Sequence, residues 1–317
     1  MAHFTGPCLT LAGPGSGKTH TLTCRIRHLI DRHQVPPEKI LVITFTRAAA
    51  MEMRQRFVSL MGEDLPVVFG TFHSVFFRML QEEYGLESDA LATGKMRLQL
   101  LREAASRCHV KSDRQDFFQV ISREFSYIKN TGIDPAEYHS REFPGIPMGR
   151  FFDAYEEQKE VYGLLDFDDM LTKTLSMFRE NPRILERWRG RFSFYLLDEV
   201  QDMNRLQFQI IRLLAHPHNN LFAVGDDDQS IYAFRGADPG LMLEFPKYYP
   251  DCRKILLEEN YRCSPQILSA ANNLIAHNGK RYAKKLHSAA EAGEAVSFCR
   301  YPTAQQEGEG LVRAIKD

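Results

Sequence analysis

The stretch Cys8-Leu9-Thr10-Leu11-Ala12-Gly13-Pro14-Gly15-Ser16-Gly17-Lys18-Thr19 decides the reading of this chain. Its first five residues form an apolar run of the length of one strand buried in a sheet. From Thr19 onward Leu22, Ile26, Leu29 and Ile30 recur at helical spacing. A glycine-rich turn between a strand and a helix is where a phosphate-binding loop belongs. Glycines let successive backbone N–H groups point inward, and the helix N-terminus adds its partial positive charge. In Ala12-Gly13-Pro14-Gly15-Ser16-Gly17-Lys18-Thr19, the Lys18 ammonium would reach the β- and γ-phosphates of a nucleotide and the Thr19 hydroxyl would ligate Mg²⁺. Ala12 stands at the first position, where the strictest form of the pattern has glycine.

Outward from the loop, the same alternation continues. Ile40-Leu41-Val42-Ile43 and Val67-Val68-Phe69 read as strands, separated by an Ala- and Met-rich helix from about Ala48 to Leu60. Strand, helix, strand in this order implies βαβ units and a parallel sheet. Between about residues 82 and 190 the pattern turns helical and charged, as in Arg97 to Arg107, Phe117 to Lys129 and Phe151 to Tyr162. Strand signals resume at Phe194-Tyr195-Leu196-Leu197 and Leu221-Phe222-Ala223-Val224. The reading is an α/β fold: a parallel sheet built from 1–81 and 191–251, interrupted by a helical insertion over 82–190. A further segment, 252–317, reads as the start of a second, incomplete α/β unit and opens near Lys254-Ile255-Leu256-Leu257. It continues with a helix from Pro265 to about His277, a strand at Ala295 to Phe298 and a helix from Glu307 to Ile315.

Composition narrows the function from the other side. The chain has 317 residues with 40 basic and 41 acidic side chains, a net charge of -1. No global field therefore draws it to nucleic acid or to an anionic membrane, and any nucleic-acid site must be a local groove. No apolar run is long enough to span a bilayer, and the N-terminus lacks a basic-then-apolar export signal. The six cysteines, Cys8, Cys24, Cys108, Cys252, Cys263 and Cys299, show no C-x-x-C spacing. They read as thiols in a reducing cytosol and not as zinc ligands or a disulfide framework.

Leu196-Leu197-Asp198-Glu199 supplies a second half to the phosphate site. An apolar strand ending in adjacent acids puts Asp198 at the carboxyl edge of the sheet, where it can hold Mg²⁺. Glu199 is then placed to orient or deprotonate an attacking water. Alone, such a pair is more often a helix cap; beside a phosphate loop it reads as catalytic.

With these residues in place, a resemblance follows. Asp198-Glu199-Val200-Gln201-Asp202 resembles the Walker B signature of superfamily 1 helicases of the UvrD/Rep/PcrA type. Gly225-Asp226-Asp227-Asp228-Gln229-Ser230-Ile231-Tyr232-Ala233-Phe234-Arg235-Gly236-Ala237 is similar to their third motif, and Glu259-Asn260-Tyr261-Arg262 to their fourth. Thr44-Phe45-Thr46-Arg47-Ala48-Ala49-Ala50 and Gly70-Thr71-Phe72-His73-Ser74 resemble two motifs on the nucleic-acid side. The resemblance covers essentially the whole chain. It implies RecA-like motor domains with ATP between them, and single-stranded DNA or single/double-strand junctions as partner. By that resemblance Gln229 contacts the γ-phosphate, Arg262 is the arginine finger of the second motor domain, and Tyr261 stacks on adenine. Their chemistry agrees, since a developing phosphoryl charge rewards a planar bidentate donor.

For DNA, Phe45, Tyr232 and Phe234 are the stacking candidates, because every base offers a π-face. Thr46, Arg47, Thr71 and His73 are expected to hold backbone phosphates. Taken singly, Phe45 and Phe234 would be core residues; the motif context assigns them to the surface. Position 234 is Phe where this group usually carries Trp, a pattern also resembling motor subunits of helicase–nuclease complexes, which are one alternative. Another is a nucleotide-binding regulatory protein that does no work on DNA. The resemblance further implies an adenine-reading Gln motif before Phe4 and two more motifs after Asp317. The chain is therefore expected to be part of a longer motor, to bind nucleotide weakly on its own and to hydrolyse little.

Overall fold

The computed structural model describes residues 3–233 and 236–316. Its centre is a six-stranded sheet, parallel throughout. The strands are β1 (Cys8–Ala12), β2 (Ile40–Thr44), β3 (Val68–Thr71), β4 (Phe194–Leu197), β5 (Leu221–Gly225) and β6 (Arg253–Leu257), in the spatial order β3-β2-β4-β5-β1-β6. Every residue of β1, β2, β4 and β5 is buried, as a parallel sheet covered on both faces requires.

Successive side chains of each strand feed two different cores. On one face Cys8, Ala12, Ile40, Val42, Phe194, Leu196, Phe222 and Val224 pack against α1 (Lys18–His33) and α2 (Arg47–Met61) through Leu22, Ile26, Leu29, Met53 and Phe57. On the other, Leu9, Leu11, Leu41, Ile43, Leu197 and Ala223 meet a larger helical layer. That layer holds α3 (Phe72–Tyr84), and it also takes in α7 (Phe167–Glu180) and α8 (Pro182–Arg191), which come from the stretch read as an insertion. The remaining helices of that stretch, α4 (Gly94–Arg107), α5 (Phe117–Thr131) and α6 (Met148–Val161), enclose a core of their own around Leu100, Ile121, Phe125, Phe151 and Tyr155. Helical periodicity alone does not say which core a helix faces, so α7 and α8 were not separable from their neighbours in the sequence. Two further helices, α9 (Arg205–Ala215) and α10 (Gly240–Tyr248), complete the larger layer.

A buried ionic cluster ties the two helical groups together. Lys129 of α5 and Lys159 of α6 both bond Asp166 and Asp169, which form the capping box of α7. Beside it Asn130 donates to Asp168 (2.7 Å) and accepts from Asn204, the cap of α9 (2.8 Å).

Beyond residue 252 the chain first returns to the central sheet. β6 pairs with β1 along Cys8 to Ala12, so the segment read as opening a second unit begins as the edge of the first sheet. There follow the short strands β7 (Glu259–Asn260) and β8 (His287–Ser288), which pair with each other, α11 (Pro265–Ile275) between them, and α12 (Ala304–Lys316). Ala295 to Phe298, expected to be a strand, has no ladder partner among the described residues, and Phe298 is 90% exposed. An apolar run becomes a strand only through a neighbour to pair with. No helix of the described residues is long and apolar enough to cross a membrane.

Candidate nucleotide and nucleic-acid site

The site follows from the strand order. β1, β2, β3, β4 and β5 all run the same way, so the loops at their carboxyl ends gather on one edge, the usual ligand crevice of such sheets. The turn after β1 is the phosphate loop. Gly15 and Gly17 lie in the left-handed region, at φ +69° and +85°, conformations that a side chain disfavours. Ser16 is buried and donates its hydroxyl to Gly13 O (2.7 Å), tightening the turn. Lys18 and Thr19 then open α1, with the Thr19 side chain half-buried in its first turn.

Across the crevice, β4 delivers Asp198 and Glu199. Glu199 is a non-glycine residue at φ +50°, a strained geometry worth about 1–3 kcal/mol that swings its carboxylate towards the phosphate loop. There Lys18 Nζ donates to Glu199 Oε2 at 2.8 Å. Asp198 is 6% exposed, and its Oδ1 is buried without a hydrogen-bond partner among the described residues. Burial first, and then the neighbouring Glu199, push its carboxyl up to about 7, with Lys18 pulling the other way. Burial and Glu199 likewise push Asp202 up to about 6. A buried carboxylate oxygen with no donor, next to a second acid, fits a divalent cation, which would supply both the missing partner and the missing charge.

Gln201 is a member of the site that sequence reasoning passed over. Fully buried, it donates to Glu199 Oε2 (2.7 Å), accepts from Asp226 N (2.9 Å) and accepts Ser230 Oγ at its own carbonyl (3.1 Å). It thus fastens Glu199 to the loop after β5. Gly225 makes room for it, since a Cβ there would stand 2.6 Å from Gln201 Oε1. Its signal in the sequence is a polar residue two positions after Glu199. Gln229, on that loop, turns its amide onto Asp226 Oδ2 at 2.6 Å.

The segment carrying Arg262 sits directly on the phosphate loop. Asn260, wholly buried, donates to Pro14 O (2.5 Å) while its Oδ1 accepts from the N–H groups of Arg262 (2.9 Å) and Cys263 (2.8 Å). Tyr261 N donates to Gly15 O at 3.0 Å. Gly13 and Gly15 are therefore needed for this approach too: a Cβ at Gly13 would meet Leu286 at 2.5 Å, and one at Gly15 would meet Arg262 Cβ at 2.5 Å. The Arg262 side chain is exposed and makes no ion pair among the described residues, and the Tyr261 ring is 65% exposed with its hydroxyl on Glu259. The two expected nucleotide ligands from this segment are thus beside the loop and open at their tips.

The nucleic-acid candidates cluster on the same edge. The Phe45 ring, just past β2, stacks on Tyr232 at 5.4 Å and 23°. Thr46 caps α2, accepting from Ala49 N, and Arg47 is exposed in the first turn. Thr71 caps α3 in a reciprocal box with Ser74, so its hydroxyl oxygen is already engaged. His73 stands edge-on to Phe167 at 5.8 Å, and burial lowers its pKa, favouring the neutral ring. Phe167, 44% exposed at the start of α7, is an aromatic on this surface that sequence reasoning did not single out. Phe234 lies outside the described residues.

A parallel sheet with a phosphate loop after one strand and an acid pair after another defines a RecA-like P-loop nucleotide-binding core. Two family models divide the chain between them: the UvrD/REP helicase N-terminal domain matches residues 1–250, and the UvrD-like helicase C-terminal domain matches 255–317. The chain belongs to the UvrD/REP helicase family. It is 36% identical over 318 residues to the ATP-dependent DNA helicase PcrA of Staphylococcus epidermidis, covering 98% of this chain and 43% of that protein. The PcrA of Staphylococcus aureus is 35% identical over 322 residues, again with 98% and 43% covered. YjcD of Bacillus subtilis is 36% identical over 314 residues, with 97% and 41% covered. The chain thus spans about two fifths of the length of these relatives.

Proposed function

We propose that this chain is the nucleotide- and DNA-binding part of a cytoplasmic, ATP-driven motor that moves along single-stranded DNA and opens duplex at single/double-strand junctions. The observation that carries the reading is the meeting of Lys18 with Glu199 beside the unpartnered Asp198 oxygen. A phosphate cradle, a catalytic acid and a cation-ready carboxylate converge on one crevice.

In this reading the loop N–H groups and Lys18 bind the phosphates of ATP. Asp198 and the Thr19 hydroxyl would hold Mg²⁺, which supplies charge neutralisation of the phosphates when bound. Glu199, released from Lys18 as the phosphates take over that ammonium, accepts the proton of the attacking water, while Gln201 keeps its carboxylate in place. Gln229 and Arg262 approach the γ-phosphate from the loop after β5 and from the segment on the phosphate loop. Preorganised charge from both sides lowers the barrier. Phe45 and Tyr232 take bases on their faces, and Arg47 and His73 meet the strand's backbone. Since Tyr232 and Gln229 share one loop, a strand on the first and a γ-phosphate on the second are coupled.

The test is a titration of a fluorescent, hydrolysis-resistant ATP analogue with Mg²⁺, run with and without a single-stranded oligonucleotide. Coupled sites must change each other's affinity by the same factor. A several-fold mutual effect is expected. Nucleotide binding that ignores the oligonucleotide, or no binding of the oligonucleotide, contradicts the reading.

A further inference from the structure

The loop after β5 carries three consecutive acids, Asp226, Asp227 and Asp228, whose carboxylates lie close enough together to hold a metal ion. The cluster is already filled by the protein itself. Lys284, its side chain 2% exposed, places Nζ 2.6 Å from Asp226 Oδ1 and 2.9 Å from Asp228 Oδ2, and bonds Asp227 as well. Arg281 forks onto both oxygens of Asp228 at 2.7 and 2.6 Å, and Tyr282 N donates to Asp227 (2.7 Å). These cations come from the segment that next supplies Leu286 against Gly13 and pairs as β8 with the Asn260 strand. One short stretch therefore grips the Gln229 loop at one end and the Arg262 segment at the other.

Within the cluster Asp226 differs from its neighbours. It is fully buried, and its second oxygen accepts the Gln229 amide N–H. Lys284 and Gln229 thus share one carboxylate. Holding the amide nitrogen on Asp226 leaves the carbonyl oxygen as the other end of the Gln229 amide, the kind of acceptor that a water aligned on a γ-phosphate needs. Among the described residues Arg281 hydrogen-bonds Asp228 and not Asp226.

We propose that Lys284 is a positioning residue for the γ-phosphate: by fixing Asp226 it sets the orientation of Gln229, and it links that setting to the segment bearing Arg262. The proposal rests on the nucleotide reading above and adds to it a residue outside the recognised motifs. Its signature is selective. Gln229 has nothing to act on in ADP, so Lys284→Met leaves ADP affinity within about twofold and weakens binding of ADP–aluminium fluoride, a mimic of the transferring phosphoryl group, at least about tenfold. Arg281→Met, which unpairs the same cluster without touching Asp226, keeps both affinities within about twofold. Lys284→Arg, keeping the charge, recovers part of the loss.

The experiment measures both ligands, with Mg²⁺, on the 317-residue chain and each variant, beside a thermal melt. Equal loss of both ligands in Lys284→Met, no loss of either, or the same selective loss in Arg281→Met overturns the proposal. Should Lys284→Met fail to fold, Asp226→Asn carries the same test, because its single acceptor oxygen cannot serve both Lys284 and the Gln229 amide. A wild-type chain that binds neither ligand contradicts the nucleotide reading itself, and the inference falls with it. A wild-type chain that prefers the mimic while Lys284→Met matches it refutes the inference alone.

Discussion

Lys18 and Glu199 are each other's partner, 2.8 Å apart across the crevice, although 181 positions separate them in the chain. The two charges therefore neutralise one another, and an incoming phosphate would have to compete with the carboxylate for the ammonium. Glu199→Gln should break that competition. The amide keeps the shape but gives up both the charge and the ability to take a proton. Nucleotide affinity should stay or rise, while hydrolysis, measured as phosphate release in the presence of single-stranded DNA, falls about 10²–10⁴-fold from whatever rate the parent shows. Unchanged turnover would remove Glu199 from the mechanism.

Asp198 is buried at the expense of the fold. Its carboxyl is pushed up to about 7, well above the ordinary value of 3.8, by burial and Glu199. A raised folded value means that the folded state holds the proton more tightly than the unfolded one. The contribution of this group to stability therefore declines as pH rises from about 4 to about 7 and then levels off. Asp198→Asn should raise the melting temperature at pH 8, lose that advantage towards pH 5, and make ATP binding insensitive to Mg²⁺. A variant that melts lower at pH 8, or that still responds to Mg²⁺, would contradict this.

Phe45 and Tyr232 stack on each other, so they act as one platform. Phe45→Ala and Tyr232→Ala should each weaken single-stranded DNA binding by about 1–3 kcal/mol, and the double variant by less than the sum. Fluorescence anisotropy with a labelled oligonucleotide measures it. A melt run in parallel separates lost stacking from lost core packing.

The cluster joining the helical groups should matter for stability, not for chemistry. Lys129 is 5% exposed on its side chain and bonds Asp166 and Asp169. Lys129→Met leaves Lys159 as the one lysine bonded to those carboxylates among the described residues, and the expected cost is about 3–5 kcal/mol, that of an unbalanced buried charge. Burial would raise the Asp166 carboxyl, but Lys129 and Lys159 outweigh it and hold it well below the usual carboxylate range. The cluster's stabilisation is complete above about pH 4 and is lost as pH falls below that. Chemical denaturation at pH 7 and pH 3 should show a smaller difference in the variant than in the parent.

Much of this was legible in the sequence because its signals are local. The run Cys8 to Thr19 is one strand, one turn and one helix start, each set by neighbours in the chain, and Phe194 to Glu199 is another such unit. The unread parts depend on partners far along the chain. That α7 packs under the sheet, that β6 belongs beside β1, and that Lys284 lies among three acids more than fifty positions away are consequences of tertiary closure. Lys284 in particular sits in Arg281-Tyr282-Ala283-Lys284-Lys285, which on charge alone reads as a solvated basic run. Burial separates it from Lys285, and no periodicity reports that.

Whether this crevice holds Mg²⁺–ATP through Lys18 is tested most directly by nucleotide binding to the parent chain and to Lys18→Ala. With a fluorescent ATP analogue at fixed Mg²⁺, the parent should bind and lose affinity when the metal is chelated. Lys18→Ala should bind at least about tenfold more weakly, since the cradle loses its cationic side chain and Glu199 is left facing the phosphates unopposed. Binding by Lys18→Ala that equals the parent's, with the same response to chelation, would show that the nucleotide does not sit on this loop.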